Sequence, residues 1–373
     1  MFWIFLGACP NLIFVHGDLW LLTSNQMKIR FARRLVIVVL FLGLGFSAHS
    51  QSGLFDSKEP LVIELEFSIK QLRAETNDST FIDSQMIFES ESGQKDTVDV
   101  EIRTRGNFRL ENCFYPPMRV KMKKKQAENT LFQGNRNLKL VLPCSKSKTA
   151  GNYIGREYLA YQLYEDVADF SFHTRLLRVT LTDTDDKKGE KVELLGFFIE
   201  DDDEVAERFG GKILDNKRIV PTLMEDSSTV RHDFFQLMIG NTDWSGLFQH
   251  NEKVLMLDEK TIVPLPYDFD MTGLVNPPYG QVNNNIGIEK VTDRLYRGFC
   301  RDPQLMQTIR NEILAKEEQV FQTVEESSAF FSDSDEKACR LYLEEFFDIL
   351  KSDRSFDKNI LMACRSASAA QSF

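Results

Sequence analysis

An α+β fold is the expectation for this 373-residue chain, on three observations. Runs that alternate apolar and polar residues fill the region from about residue 60 to residue 142. Apolar residues at helical spacing fill the last part of the chain. Between them, residues 239–273 read as a helix end, a polar turn, a strand, a second turn, a second strand and an acidic loop. The expected division is a strand-rich part at 51–150 and a mixed, then mainly helical, part at 151–373.

Two segments precede these. Met27 opens a stretch with Lys28, Arg30, Arg33 and Arg34, then an apolar run at 35–46, then Ser47-Ala48-His49-Ser50. A basic start, an apolar centre and a small-residue exit are the plan of a secretory signal. The apolar run is short for a membrane span. Residues 27–50 are therefore expected to be a signal peptide and 1–26 a non-native extension, with a retained anchor as the alternative. The expected location is outside the cytoplasm, periplasmic or extracellular.

The chain has 45 basic and 56 acidic residues, a formal charge of -11. That balance argues against nucleic acid as a partner. Beyond residue 50 the cysteines are Cys113, Cys144, Cys300, Cys339 and Cys364, with no CxxC pair. A zinc site is not expected. In an exported chain disulfides are expected, and the pairings expected here are Cys113 with Cys144 and Cys300 with Cys339.

Strands are expected at 61–67, within 81–94, at 97–103, at 118–123 after Pro116 and Pro117, and at 137–142. A helix is expected at 154–168, then a hairpin from 175–181 to 193–200. Residues 201–209 read as a helix start or an acidic turn. Ser227 or Ser228 is the expected cap of the helix that runs to residue 239. Residues 275–285 read as a loop of the kind that covers a site. Helices are expected at 303–317, 318–331 and 336–351.

The hairpin within 239–273 brings Asp243 and Asn251 towards Asp268 and Asp270. Like charges in one cleft repel, and burying them unpaired costs several kcal/mol. A divalent cation with oxygen ligands, typically magnesium, resolves this. Taken one at a time, these residues are also ordinary turn and cap residues. Arg105-Gly106-Asn107 follows a strand, and its glycine permits close approach of backbone to a ligand. Taken alone, it reads first as an ordinary turn. Arg119, Lys121 and Lys123 share one strand face, suited to a phosphate or simply to solvent. There is no glycine-rich phosphate loop.

Several blocks, in this order, resemble the spore coat protein H (CotH) kinase-like family. They are Arg103-Thr104-Arg105-Gly106-Asn107, Pro117-Met118-Arg119-Val120-Lys121, Tyr153 to Ala160, Leu195-Gly196-Phe197-Phe198-Ile199-Glu200, Asn241-Thr242-Asp243-Trp244 with His250-Asn251, and Pro266-Tyr267-Asp268-Phe269-Asp270. The resemblance spans about 61–273. It implies an atypical protein-kinase-like bilobal fold, with a strand-rich N-terminal lobe, a mainly helical C-terminal lobe and ATP between them. It implies Asp243 as the catalytic aspartate, and Asn251, Asp268 and Asp270 as holders of Mg2+ or Mn2+. Arg105, Arg119 and Lys121 would contact phosphates, and Glu200 would lie near the strand that links the lobes. The implied activity is transfer of phosphate to a serine or threonine of a secreted or surface protein. The chain departs from the family pattern in the eight-residue gap between Asp243 and Asn251.

Three readings follow. An exported phosphotransferase needs nucleotide and metal. A surface-assembly or binding protein on the same scaffold needs neither turnover nor Asp243. A carboxylate-pair glycosidase would use Asp243 with Asp268 or Asp270 and no nucleotide.

Overall fold

The alternating runs of the first half form five strands: β1 (Leu61–Phe67), β2 (Ile82–Glu89), β3 (Lys95–Thr104), β4 (Met118–Met122) and β5 (Asn137–Val141). The expected hairpin supplies β6 (Thr174–Asp183) and β7 (Lys191–Glu200). The structure is a computed structural model. It describes residues 53–90, 93–106, 108–215, 218–282 and 286–366. The expected extension at 1–26, the signal at 27–50, Asn107 and the end of the 275–285 loop lie outside the described residues.

The seven strands close into a barrel in the order β1-β2-β3-β4-β5-β7-β6. Every pairing is antiparallel except the closing one. There β1 runs parallel to β6, from Leu61 beside Leu177 to Phe67 beside Asp183. Period-two alternation puts Ile63, Leu65, Met86, Val98, Val100, Val120, Leu138, Leu140 and Val179 inside, where they are buried. A second sheet holds β8 (Lys212–Ile213), β9 (Glu252–Met256) and β10 (Ile262–Pro266), with β9 in the centre.

Three short helices decorate the first strands: α1 (Ile69–Glu75), α2 (Phe108–Asn112) and α3 (Lys124–Ala127). The longer ones are α4 (Ala150–Val167), α6 (Asp226–Met238), α7 (Pro303–Ala315), α8 (Glu317–Ser327) and α9 (Asp333–Lys351), with α5 (Asp202–Arg208) a two-turn helix after β7. Glu225, not Ser227 or Ser228, caps α6. Its carboxylate accepts from the amides of Ser227 at 3.0 Å and Ser228 at 2.6 Å. A carboxylate reaches two exposed amides where a hydroxyl reaches one, and it also suits the positive end of the helix dipole. Among the described residues, no helix is long and apolar enough to cross a membrane.

This architecture overturns the expected kinase-like division into a strand-rich lobe and a mainly helical lobe. β6 and β7, from beyond residue 150, close the same barrel as β1–β5. The helices have no core of their own. Val141, Leu176, Phe197 and Ile199 of the barrel strands share one cluster with Ile154, Tyr158, Phe234, Phe235, Val324 and Leu343. Local alternation reveals a strand but not its partner, and the closing parallel ladder joins segments remote in sequence.

The disulfides are Cys113–Cys144, as expected, and Cys300–Cys364. The expected Cys300–Cys339 pairing is overturned. Phe299 and Arg365 form a bridge, with the Cys300 amide donating to the Arg365 carbonyl at 2.9 Å, so Cys364 arrives at Cys300. Cys339 is a buried thiol on the inner face of α9.

Two outcomes test this fold. Peptide mapping of unreduced protein should recover the 300–364 link, with Cys339 alkylated only after unfolding. Gly155 of α4 lies so close to α8's continuation that a Cβ there would sit 2.6 Å from the Phe330 carbonyl oxygen. Gly155→Ala should therefore cost about 1–3 kcal/mol in urea unfolding.

Candidate functional site

The β9–β10 hairpin is pinned at its open end, where the Tyr267 amide donates to the Asn251 carbonyl at 3.1 Å. That bond brings the residues before β9 beside those after β10. Gln249, Asn251 and Asp268 all have positive φ, at 51°, 51° and 63°. Left-handed backbone at three non-glycine positions is held by its surroundings. The Asp268 amide donates to the Tyr161 hydroxyl at 2.9 Å. Phe269 is buried between Tyr161 and Phe235, with ring centroids at 4.6 and 5.4 Å. With Phe269 anchored inwards, Asp268 and Asp270 both line a cleft of about 510 Å³ that Asp243 and Asn251 also line.

One wall of this cleft is acidic. Asp243 is half exposed. His250 Nε2 lies 3.0 Å from its Oδ1, and Asn251 donates to its Oδ2 at 3.1 Å and to its carbonyl at 2.8 Å. The bond from His250 holds the Asp243 carboxyl below its ordinary range, and the same bond raises His250. Asp270 is buried, and its Oδ2 has no hydrogen-bond partner among the described residues. Burial, and then the charge of Asp268, push Asp270 up to about 7. Beneath it lies Arg109 of α2, with Nε 3.9 Å from Asp270 Oδ2 and Nη1 3.3 Å from Glu157 Oε2. Its Nη2 donates to the Leu142 carbonyl at 2.6 Å. Burial pushes Glu157 up to about 8 against the pull of Arg109.

A second part of the lining, the basic wall, carries cations. Arg105, Arg119, Lys139 and Lys253 line the cleft. Arg119 pairs with Asp201, Lys139 pairs with Asp202, and Lys253 Nζ lies 3.2 Å from Asp202 Oδ2. Burial lowers the Lys139 ammonium, against the pull of Asp202. Burial would raise Asp202, but Lys139 and Lys253 outweigh it and hold Asp202 at about 2. Arg105 is half-buried, and its guanidinium makes no ion pair with a described residue.

Six of the eight expected site residues thus line one cleft: Arg105, Arg119, Asp243, Asn251, Asp268 and Asp270. Lys121 does not. It faces outwards, 3.0 Å from Glu101 and over the Phe81 ring. Glu200 is buried away from the cleft, where Arg208 binds both its oxygens and the His173 amide donates to it. Sequence reasoning missed Lys139, Lys253, Arg109 and Glu157. The available signal for Lys139 was a single lysine inside the otherwise apolar run from Leu138 to Leu142.

Among the described residues, no three His, Cys, Asp or Glu side chains are grouped as a cation site. Asp270, with one oxygen lacking a hydrogen bond and the charge of Asp268 close by, does fit a divalent cation, which would satisfy both carboxylates without a proton. The basic wall fits a phosphate or another polyanion. Comparison with protein-family models gives no match, and comparison with curated proteins gives none.

The Asp202 cluster is the easiest part of the wall to test. Asp202→Asn strands Lys139 in the interior and should cost about 3–5 kcal/mol in urea unfolding at neutral pH. Adding Lys139→Met should recover most of that loss.

Proposed function

We propose that the cleft binds ATP with Mg2+ or Mn2+ and transfers the terminal phosphoryl group to a serine or threonine of a secreted or surface protein. The observation that supports this best is the meeting of carboxylates and cations in one cleft. Three carboxylates, one of them with a buried oxygen that lacks a hydrogen bond, line one cleft together with Arg105, Arg119, Lys139 and Lys253. A polyanion carrying a cation satisfies both walls at once; neither a sugar nor an apolar ligand does.

Asp268 and Asp270, with the carboxamide oxygen of Asn251, would hold the cation. When bound, it neutralises charge on phosphate oxygens. The chain's own residues do the rest. Arg105 and Lys139 hold phosphate oxygens, and Arg119 and Lys253 set the position of the basic wall. Asp243, fixed by His250 and Asn251, orients the acceptor hydroxyl and accepts its proton as the new P–O bond forms and the bond to ADP breaks. The Asp243 carboxyl is held below its ordinary range, so orientation is its larger contribution. The basic, apolar, small-residue sequence at 27–50 and the two disulfides favour an exported protein.

Binding without turnover is the second reading. It is favoured by the engagement of both Asp243 oxygens, one by His250 and one by Asn251. Incubation with labelled ATP and manganese separates the two. The first reading expects incorporation into the protein itself or an added acceptor. It expects Asp243→Ala to lower that by at least about a hundredfold with unfolding temperature retained. Arg105→Ala should raise KM for ATP more than it lowers kcat. The absence of a manganese- and ATP-dependent rise in unfolding temperature would end both nucleotide readings.

A further inference from the structure

Behind the segment that carries Asp243 and Asn251 lies a buried polar group that the proposed reaction does not use. His232, Asp233 and Gln236 are buried on α6, beside Glu252 at the start of β9 and beside Trp244. His232 Nδ1 lies 3.0 Å from Asp233 Oδ1. Its Nε2 lies 3.0 Å from the Gln236 amide and 3.4 Å from Glu252 Oε2. The ring meets the Trp244 indole edge to face, with centroids 4.7 Å apart. Asp233 Oδ2, Glu252 Oε2, Trp244 Nε1 and the Tyr296 hydroxyl have no hydrogen-bond partner among the described residues.

The sequence positions give this group its meaning. Asp243 and Asn251 line the cleft, while the residue after each, Trp244 and Glu252, is turned inwards and buried. Both inward residues meet the same imidazole. We infer that His232 is a positioning residue, tying α6 to Glu252 and backing Trp244, and so fixing both ends of the arm that presents Asp243 and Asn251 to the cleft. What the arm does rests on the function proposed above; how it is held does not.

The ring holds through its charge. Burial alone would strip its proton, but Glu252 and Asp233 outweigh burial and hold His232 up to about 9. The atom set against Nε2 is Gln236 Nε2; with both ring nitrogens protonated the carboxamide is assigned the turned-over orientation, in which Oε1, otherwise without a hydrogen bond, accepts from the ring. The other charged or titratable groups around this site are Tyr164 on α4, Tyr296, Arg365 and Arg297, the last 5.7 Å from the Trp244 ring centroid. Because the folded value is raised, the tie is at full strength below the ordinary histidine value and is lost as pH rises through about 9.

Trp244 reports on this directly, since the other tryptophans are Trp3 and Trp20. The full chain carrying Trp3→Phe and Trp20→Phe is titrated from neutral to alkaline pH while Trp244 emission is followed. A charged imidazole against an indole quenches it, so emission should rise in one step near pH 9. Affinity for manganese-ATP should fall about tenfold over the same step. His232→Gln should abolish the step and weaken binding about tenfold at neutral pH. If that variant does not fold, His232→Gln with Glu252→Gln removes the opposed charges together and should fold, with the same two losses. A flat emission curve, a step near the ordinary histidine value, or a folded His232→Gln chain that binds as tightly as its parent overturns the inference. A step near pH 9 in a chain that binds no nucleotide supports the tie and overturns the phosphoryl-transfer reading instead.

Discussion

Arg109 lies almost wholly out of water, and three segments depend on it. Its guanidinium meets Glu157 of α4, Asp270 after β10 and the Leu142 carbonyl past the end of β5. A cation so placed is costly to bury and more costly to leave unpaired; breaking such a pair costs about 3–5 kcal/mol. The structure therefore keeps α2, which carries Arg109, fixed by other means. The Cys113–Cys144 disulfide ties the residue after α2 to the chain beyond β5, and Arg73 donates to the carbonyls of Leu110, Cys113 and Phe114. The barrel mouth, the central helix and the acidic loop are joined at this one buried charge.

The same constraint shapes the cleft above it. Two carboxylates share one guanidinium, so Asp270 Oδ2, buried 3.9 Å from Arg109 Nε, has no hydrogen bond, and the charge of Asp268 adds to the cost of its own. On the other wall the balance is reversed: Asp202 receives Lys139 and Lys253, and Arg119 is 3.9 Å from it. One wall is short of positive charge and the other rich in it. That asymmetry is what the proposed pairing of a polyanion with a cation would satisfy.

Much of the secondary structure was legible in the residues. The alternating runs became β1 and β3–β5, the 175–200 hairpin became β6 and β7, and the helices after residue 300 fall within a few residues of expectation. The closure was not legible, because the ladder between β1 and β6 depends on register across the whole first half of the fold. The site shows the same division. Asp243, Asn251, Asp268 and Asp270 were recognisable because a short hairpin brings its own ends together. Lys121 misled because it shares a strand face with Arg119, yet only Arg119 reaches Asp201 at the cleft edge. Lys139 escaped notice because a lysine in a strand reads as a surface residue, and this one is buried against Phe172 and Asp202.

The parallel ladder between β1 and β6 sets an order of events at birth. β1 leaves the ribosome early, and its sealing partner ends only at Asp183. At roughly 5–20 residues per second, that separation is on the order of ten seconds of synthesis. Throughout that interval β1 keeps one open edge, and β5, once made, stays open until β7 ends at Glu200. Newborn copies on one messenger are thus exposed to strand exchange with each other, and a holding chaperone has a defined window in which to act.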